Sequence, residues 1–301
     1  MVGSKSRSIV VTGANRGLGL EVCRRLAAAG HALLVTGRDE LKARNAARML
    51  DREFPSAPVA SRVLDLSSLE SVRECAQSIL ERDAPVDVLV HNAGMLFPTV
   101  TRTVTDDGVE EALQVHAVAP LLLTRLLLPI LNRPARVYIV GSSLHYPDAR
   151  GPSVDFRFED PNLEQRYLPE RAYKNSKLAA LWVAYEFERR LGDAGVHFDV
   201  VSPGFVPTTA APSGRSWFQR AALKHVLPRM PFATSIDDAA GGLARLFGDE
   251  PLDAEGGRYF HEWKPRRSSE QSLDEAQAGR FWRWACDKAQ LPETIRTDRA
   301  G

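Results

Sequence analysis

The sequence predicts an α/β fold in which a doubly wound parallel sheet of about seven strands carries helices on both faces. Three observations point there. Short apolar, β-branched runs alternate along the chain with longer amphipathic stretches. A glycine-rich turn, Thr12 to Gly19, directly follows the first such run and opens onto a helical pattern. The chain of 301 residues, 44% of them hydrophobic, is long enough to bury one sizeable core, and no linker-like stretch interrupts it before the last few residues. One domain over 1–301 is therefore expected, with short tails at 1–7 and 292–301.

Strand patterns fall at 8–12, 32–36, 59–64, 86–91, 136–140, 197–202 and 258–260, with helices between them. Ser8-Ile9-Val10-Val11 is too continuously apolar for a half-exposed strand and fits a sheet covered on both sides. Leu20 to Ala29 repeats its apolar residues at helical spacing. Ser67-Ser68-Leu69-Glu70 reads as a capping box that starts the helix after the third strand, with a serine oxygen accepting from the N–H three residues on. The longest apolar stretch, 121–131, is interrupted by Arg125 and Pro129, which argues against a membrane span, and 1–7 is too short and polar for a targeting signal. Cys23, Cys75 and Cys286 lie far apart in helical contexts and read as buried apolar residues, with neither a disulfide framework nor a metal site. A net charge of +1 with dispersed arginines gives no reason to expect a nucleic-acid partner. A cytoplasmic protein is expected.

Four groups of residues carry the chemistry, in the order Thr12-Gly13-Ala14-Asn15-Arg16-Gly17-Leu18-Gly19, Asn92-Ala93-Gly94, Ser142-Ser143 and Tyr173-Lys174-Asn175-Ser176-Lys177. A strand, a glycine turn and a helix let a pyrophosphate lie against free backbone N–H groups at the positive end of the helix dipole. Tyr173 and Lys177 share one face of a helix, so an ammonium can sit beside a phenol. The GxxxGxG spacing and the later motifs resemble the short-chain dehydrogenase/reductase family, in its single-domain Rossmann-type form. The spacing and the lack of a larger substrate domain speak against an epimerase or dehydratase.

That resemblance implies a nicotinamide cofactor held by Gly13, Asn15, Arg16, Gly17, Leu18 and Gly19, by Asp65 and Leu66 at the adenine, and by Asn92, Ala93, Gly94 and Val115 along the cleft. Pro203, Gly204 and Val206 would cover its carboxamide end, with Thr208 near the pyrophosphate, and Tyr173 and Lys177 would approach its ribose. His91, replacing an asparagine, reads as structural. Arg38, at the end of the second strand where an acid would select a free 2′-OH, joins Arg16 in favouring NADP(H) over NAD(H), with Asp39 the competing charge. The resemblance makes Tyr173 the proton carrier, its pKa lowered by Lys177 and the oxidised nicotinamide, and Ser143 the group that steadies the substrate oxygen, with Ser142 as the alternative.

His116 departs from the pattern. Family members carry asparagine in a string such as VNxxG, where it kinks the helix and helps hold a water reaching the lysine; here the string is Val115-His116-Ala117-Val118-Ala119. His116 could join a proton relay or simply pack between helices. Residues 204–232, rich in aromatic and basic side chains, match the family's substrate lid and imply an apolar pocket, with membrane contact a competing reading. The stretch 144–168 and the tail to Leu291 resemble the retinol-dehydrogenase-like branch, which implies a lipophilic alcohol, aldehyde or ketone as substrate. Pairing into a homodimer or homotetramer is a family habit. The alternative is an NADP(H)-binding regulatory or scaffold protein with weak chemistry, for which His116 is the only support.

Overall fold

The computed structural model describes residues 6–95, 99–147, 154–206 and 233–295. Eight strands form one sheet in the order β3 (Val59–Val63), β2 (Ala32–Gly37), β1 (Ser8–Val11), β4 (Val86–His91), β5 (Leu131–Val140), β6 (Val196–Ser202), β7 (Tyr259–His261) and β8 (Lys264–Arg266). The pairings are parallel from β3 through β7, and β8 returns antiparallel to β7. Alternation along each apolar run explains its two-sided burial. Val10, Leu34, Leu89 and Val137 point into one core, with α3 (Leu69–Leu80), α4 (Glu111–Ile130), α5 (Pro169–Leu191) and α7 (Glu275–Lys288). Ile9, Val11, Leu33, Val35, Val88 and Val90 point into the other, with α1 (Gly17–Ala28), α2 (Glu40–Glu53) and α6 (Ile236–Asp249).

The sheet has one strand more than the sequence predicts. Lys-Pro-Arg is exposed throughout and lacks alternation, and its hairpin turns through Glu262 and Trp263 at positive φ without a glycine, so it leaves no local signal. Strand β5 also begins five residues before the predicted start at Arg136. The helix after β3 is capped from within the predicted string: Ser68 Oγ accepts from Ser71 N–H, three residues on, at 3.2 Å. Ser67 instead turns back to Asp65, donating from Oγ and N to Oδ1. The three cysteines are free and buried.

The apolar stretch at 121–131 lies in α4 up to Ile130, with Leu131 opening β5; α4 is the one described helix long and apolar enough to cross a membrane, and 67% of its most apolar window is buried inside the fold. Helix α7 packs Phe281 and Trp282 against Trp182 and Phe187 of α5, and Arg125 of α4 donates to the Pro292 and Thr294 carbonyls beyond α7. Strand order reverses between β1 and β4, which opens a crevice at the carboxyl ends of the strands.

Candidate active site

The turn after β1 is shaped first by backbone packing. Gly13 has φ +65°, and a Cβ there would lie 2.7 Å from Ala93 Cα; a Cβ on Gly19 would lie 2.5 Å from Asn92 Nδ2. The glycines thus let the turn close onto the end of β4, where Asn92 Nδ2 donates to the Thr12 carbonyl at 2.9 Å and Ala93 N–H to Thr12 Oγ1 at 3.0 Å. Thr12, fully buried, was not singled out by its sequence, since a strand-end threonine is commonplace. Beyond letting a pyrophosphate approach the turn, Gly13 and Gly19 thus meet a packing requirement. Asn15 lies against Gly37, and Leu18 is buried under the turn.

Helix α1 starts at Gly17 with no acidic residue in its first turn and no side chain capping its N–H groups. Arg16 and Arg38 are both exposed beside this opening. Asp39 is occupied elsewhere: it caps α2 by accepting from Lys42 N–H at 3.0 Å and pairs with Lys42 Nζ at 2.7 Å. Asp65 uses Oδ1 for Ser67, and the Leu66 carbonyl accepts from Gln114 Nε2. Pro203 is buried, and Gly204 at φ +79° passes so close to Thr234 that a Cβ would sit 2.3 Å from its Oγ1. Val206 is buried, and the chain returns beside it through the Phe205–Ala233 bridge. Thr208 and most of the 204–232 lid lie outside the described residues. An uncapped helix start, two positive-φ glycines and two exposed arginines with no acidic partner among the described residues fit the phosphates of a nicotinamide dinucleotide.

Opposite, α5 presents Tyr173 and Lys177, both buried, with the ammonium 5.7 Å from the phenol ring centroid. Lys177 Nζ donates to the Val140 carbonyl at 2.9 Å, and burial brings its pKa down to about 7. Burial pushes the Tyr173 phenol up to about 12, against a hydrogen bond with Ser142 that pulls it down. The sequence expectation of a lowered phenol includes the oxidised nicotinamide; in the protein alone, desolvation of the phenolate outweighs the hydrogen bond from Ser142. The serine bonded to Tyr173 is Ser142, the alternative, and not Ser143; Ser143 begins a single 3₁₀ turn whose N-cap is Ser142.

His116 sits in a π-helical turn, Gln114–Val118, closed by Ala119 N–H bonding the Gln114 carbonyl. The helix distortion that the family obtains at asparagine is thus present here without it. Both ring nitrogens are engaged: Nε2 accepts from Met95 N–H at 3.1 Å, and Nδ1 lies 2.8 Å from Ser176 Oγ. Burial, then Lys177, hold its pKa well below the usual 6.5, so it is neutral. A free relay histidine is therefore not what the structure contains. Val115, beside it, is buried. His91 is also neutral, brought down to about 3 by burial and bonded to Thr124 at 2.8 Å, in line with its structural reading.

A Rossmann-type sheet with a glycine turn, a buried tyrosine and lysine on one helix, and a serine at the adjoining strand end defines a nicotinamide-linked oxidoreductase class. Comparison with known proteins agrees. The family described as short chain dehydrogenase matches residues 7–144. Retinol dehydrogenase 14 of Mus musculus is 31% identical over 288 residues, covering 92% of this chain and 84% of its own. A crystal structure of a putative uncharacterized protein from Mycobacterium paratuberculosis superposes with TM-score 0.74 at 27% identity, covering 97% of this chain and 96% of the other. A blue fluorescent protein from a metagenomic library, in complex with NADPH, gives TM-score 0.64 at 26% identity over 85% of this chain and 95% of its own. The chain belongs to the short-chain dehydrogenase/reductase family, in its retinol-dehydrogenase-like branch.

Proposed function

We propose that the chain transfers hydride between NADP(H) and a lipophilic alcohol or its aldehyde or ketone, with Ser142, Tyr173 and Lys177 as the reacting site. The observation that carries this is the buried Tyr173 hydroxyl bonded to Ser142, one helical turn from Lys177. The bound nicotinamide would supply or accept the hydride. In the reducing direction Tyr173 gives its proton to the oxygen of the carbonyl as charge develops there, and a phenol that holds its proton at neutral pH is suited to that task. Ser142 donates a hydrogen bond to the same oxygen. In its protonated form Lys177, one helical turn away, would ease loss of the phenol's proton.

Arg16 and Arg38 at the ribose end, with Asp39 committed to Lys42, support a 2′-phosphate and so NADP(H). The NADPH complex of a relative structure supports the same cofactor. The retinol dehydrogenase relationship supports a lipophilic substrate. Three buried free thiols are consistent with a reducing compartment, the cytoplasm. Any homodimer or homotetramer formed through α4 and α5 would have to accommodate α7, which packs on α5. The alternative of weak chemistry rested on His116, whose contacts tie it to the catalytic helix.

The test is NADPH and NADH consumption, side by side, over a panel of lipophilic aldehydes and ketones. Turnover with NADPH about tenfold or more above NADH is expected for two arginines facing a phosphate. Tight NADPH binding without turnover on any compound would tell against the reading.

A further inference from the structure

The occupants of the His116 ring nitrogens fix where its proton lies. Met95 N–H can only donate, so Nε2 must offer its lone pair across the 3.1 Å contact. Ser176 Oγ lies 2.7 Å from the Tyr173 carbonyl, which can only accept, so the serine proton is spent there. The ring proton is then on Nδ1, donated to Ser176 Oγ at 2.8 Å. The same ring meets Tyr173 edge to face at 5.7 Å, and a Cβ on Gly94 would come within 2.9 Å of Nε2. His116 therefore touches the loop that follows the Asn92-Ala93-Gly94 motif on one side and the Tyr173–Lys177 turn of α5 on the other.

We propose that His116 and Ser176 are a positioning pair, in which the neutral Nδ1–H ring ties the loop at Gly94 and Met95 to the helical turn of Tyr173 and Lys177 and passes no proton itself. The functional half of this rests on the oxidoreductase reading above; the tautomer does not. Relaying a proton through the ring would require Nε2 to take one up, which breaks the Met95 bond and places a second cation, buried, beside Lys177. Burial and that same lysine oppose such a charge.

The direct test is a long-range ¹⁵N–¹H correlation spectrum of the full chain with labelled histidine at neutral pH, the His116 signals being those lost in His116→Gln. A protonated Nδ1 with an unprotonated Nε2 is expected; an Nε2–H ring or a doubly protonated ring overturns the proposal. The kinetic arm compares His116→Phe, which fills the space without nitrogens, with His116→Gln, whose amide oxygen can accept from Met95. The phenylalanine variant should lose about tenfold in kcat, as for one or two missing hydrogen bonds, and glutamine should recover most of it. Wild-type kcat in His116→Phe, or a loss in His116→Gln as deep as in His116→Phe, overturns the positioning role. A chain with no turnover on any substrate contradicts the oxidoreductase reading alone, because the spectrum still decides the tautomer.

Discussion

The glycine turn after β1 and the buried turn of α5 both lie at the carboxyl ends of the strands, yet different constraints build them. In the first, residue identity answers to backbone: Gly13 and Gly19 exist because Ala93 and Asn92 leave no room for a Cβ. In the second, it answers to side-chain burial: Tyr173 and Lys177 are placed where water is excluded, and their pKa values move toward the neutral forms as a result. Substitutions in the turn should therefore cost stability and binding together. Substitutions on α5 should separate stability from chemistry, even with opposite signs.

The largest effect should come from Gly13→Val. A side chain at φ +65° and 2.7 Å from Ala93 Cα should cost about 3 kcal/mol or more in urea unfolding and abolish measurable NADPH binding. Wild-type stability in that variant would break the comparison at its first term. Lys177→Met should do the reverse and stabilise the cofactor-free protein while removing turnover. Its folded pKa, about 7, lies below the usual 10.5. Between those values the unfolded chain binds a proton that the folded one does not, so the lysine's penalty is absent at high pH, grows as pH falls toward 7, and is complete below it. The gain from methionine, several kcal/mol at pH 7, should shrink toward zero above pH 10.5 in denaturation curves.

Ser142→Ala against Ser143→Ala sharpens the α5 side. Loss of the hydroxyl bonded to Tyr173 should lower kcat by about 100-fold, while Ser143→Ala should stay within about threefold of wild type. Equal losses would return Ser143 to the role the family pattern gives it. The smallest effect belongs to the outer rim of the turn, where Arg38→Asp should shift the ratio of NADPH to NADH affinity toward NADH by about tenfold without altering kcat. An unchanged ratio would mean that Arg38 faces no phosphate.

This division also explains what was legible in the sequence. The seven parallel strands and the glycine turn could be read because their requirements are local: apolar runs of fixed length, and glycines at fixed spacing. Tyr173 and Lys177 could be read because four residues along a helix is a local distance. The choice between Ser142 and Ser143 could not, since it depends on how a single 3₁₀ turn presents two neighbouring hydroxyls to a helix more than two dozen residues away. The raised Tyr173 pKa is likewise a property of burial, which no spacing encodes. His116 was visible as a departure, but its role follows from its contacts with Met95 N–H and Ser176 Oγ, which no spacing along the chain encodes. The β8 edge escaped because charged residues around a proline resemble a loop.

The proposed nicotinamide-linked reaction depends on Tyr173 as the group that moves the proton. Single-turnover reduction of a lipophilic aldehyde by NADPH, measured for the wild type and Tyr173→Phe at equal cofactor saturation, addresses it most directly. A rate lower by about a thousandfold in the variant, with NADPH affinity unchanged, is the predicted result. Retention of the rate in Tyr173→Phe would contradict it.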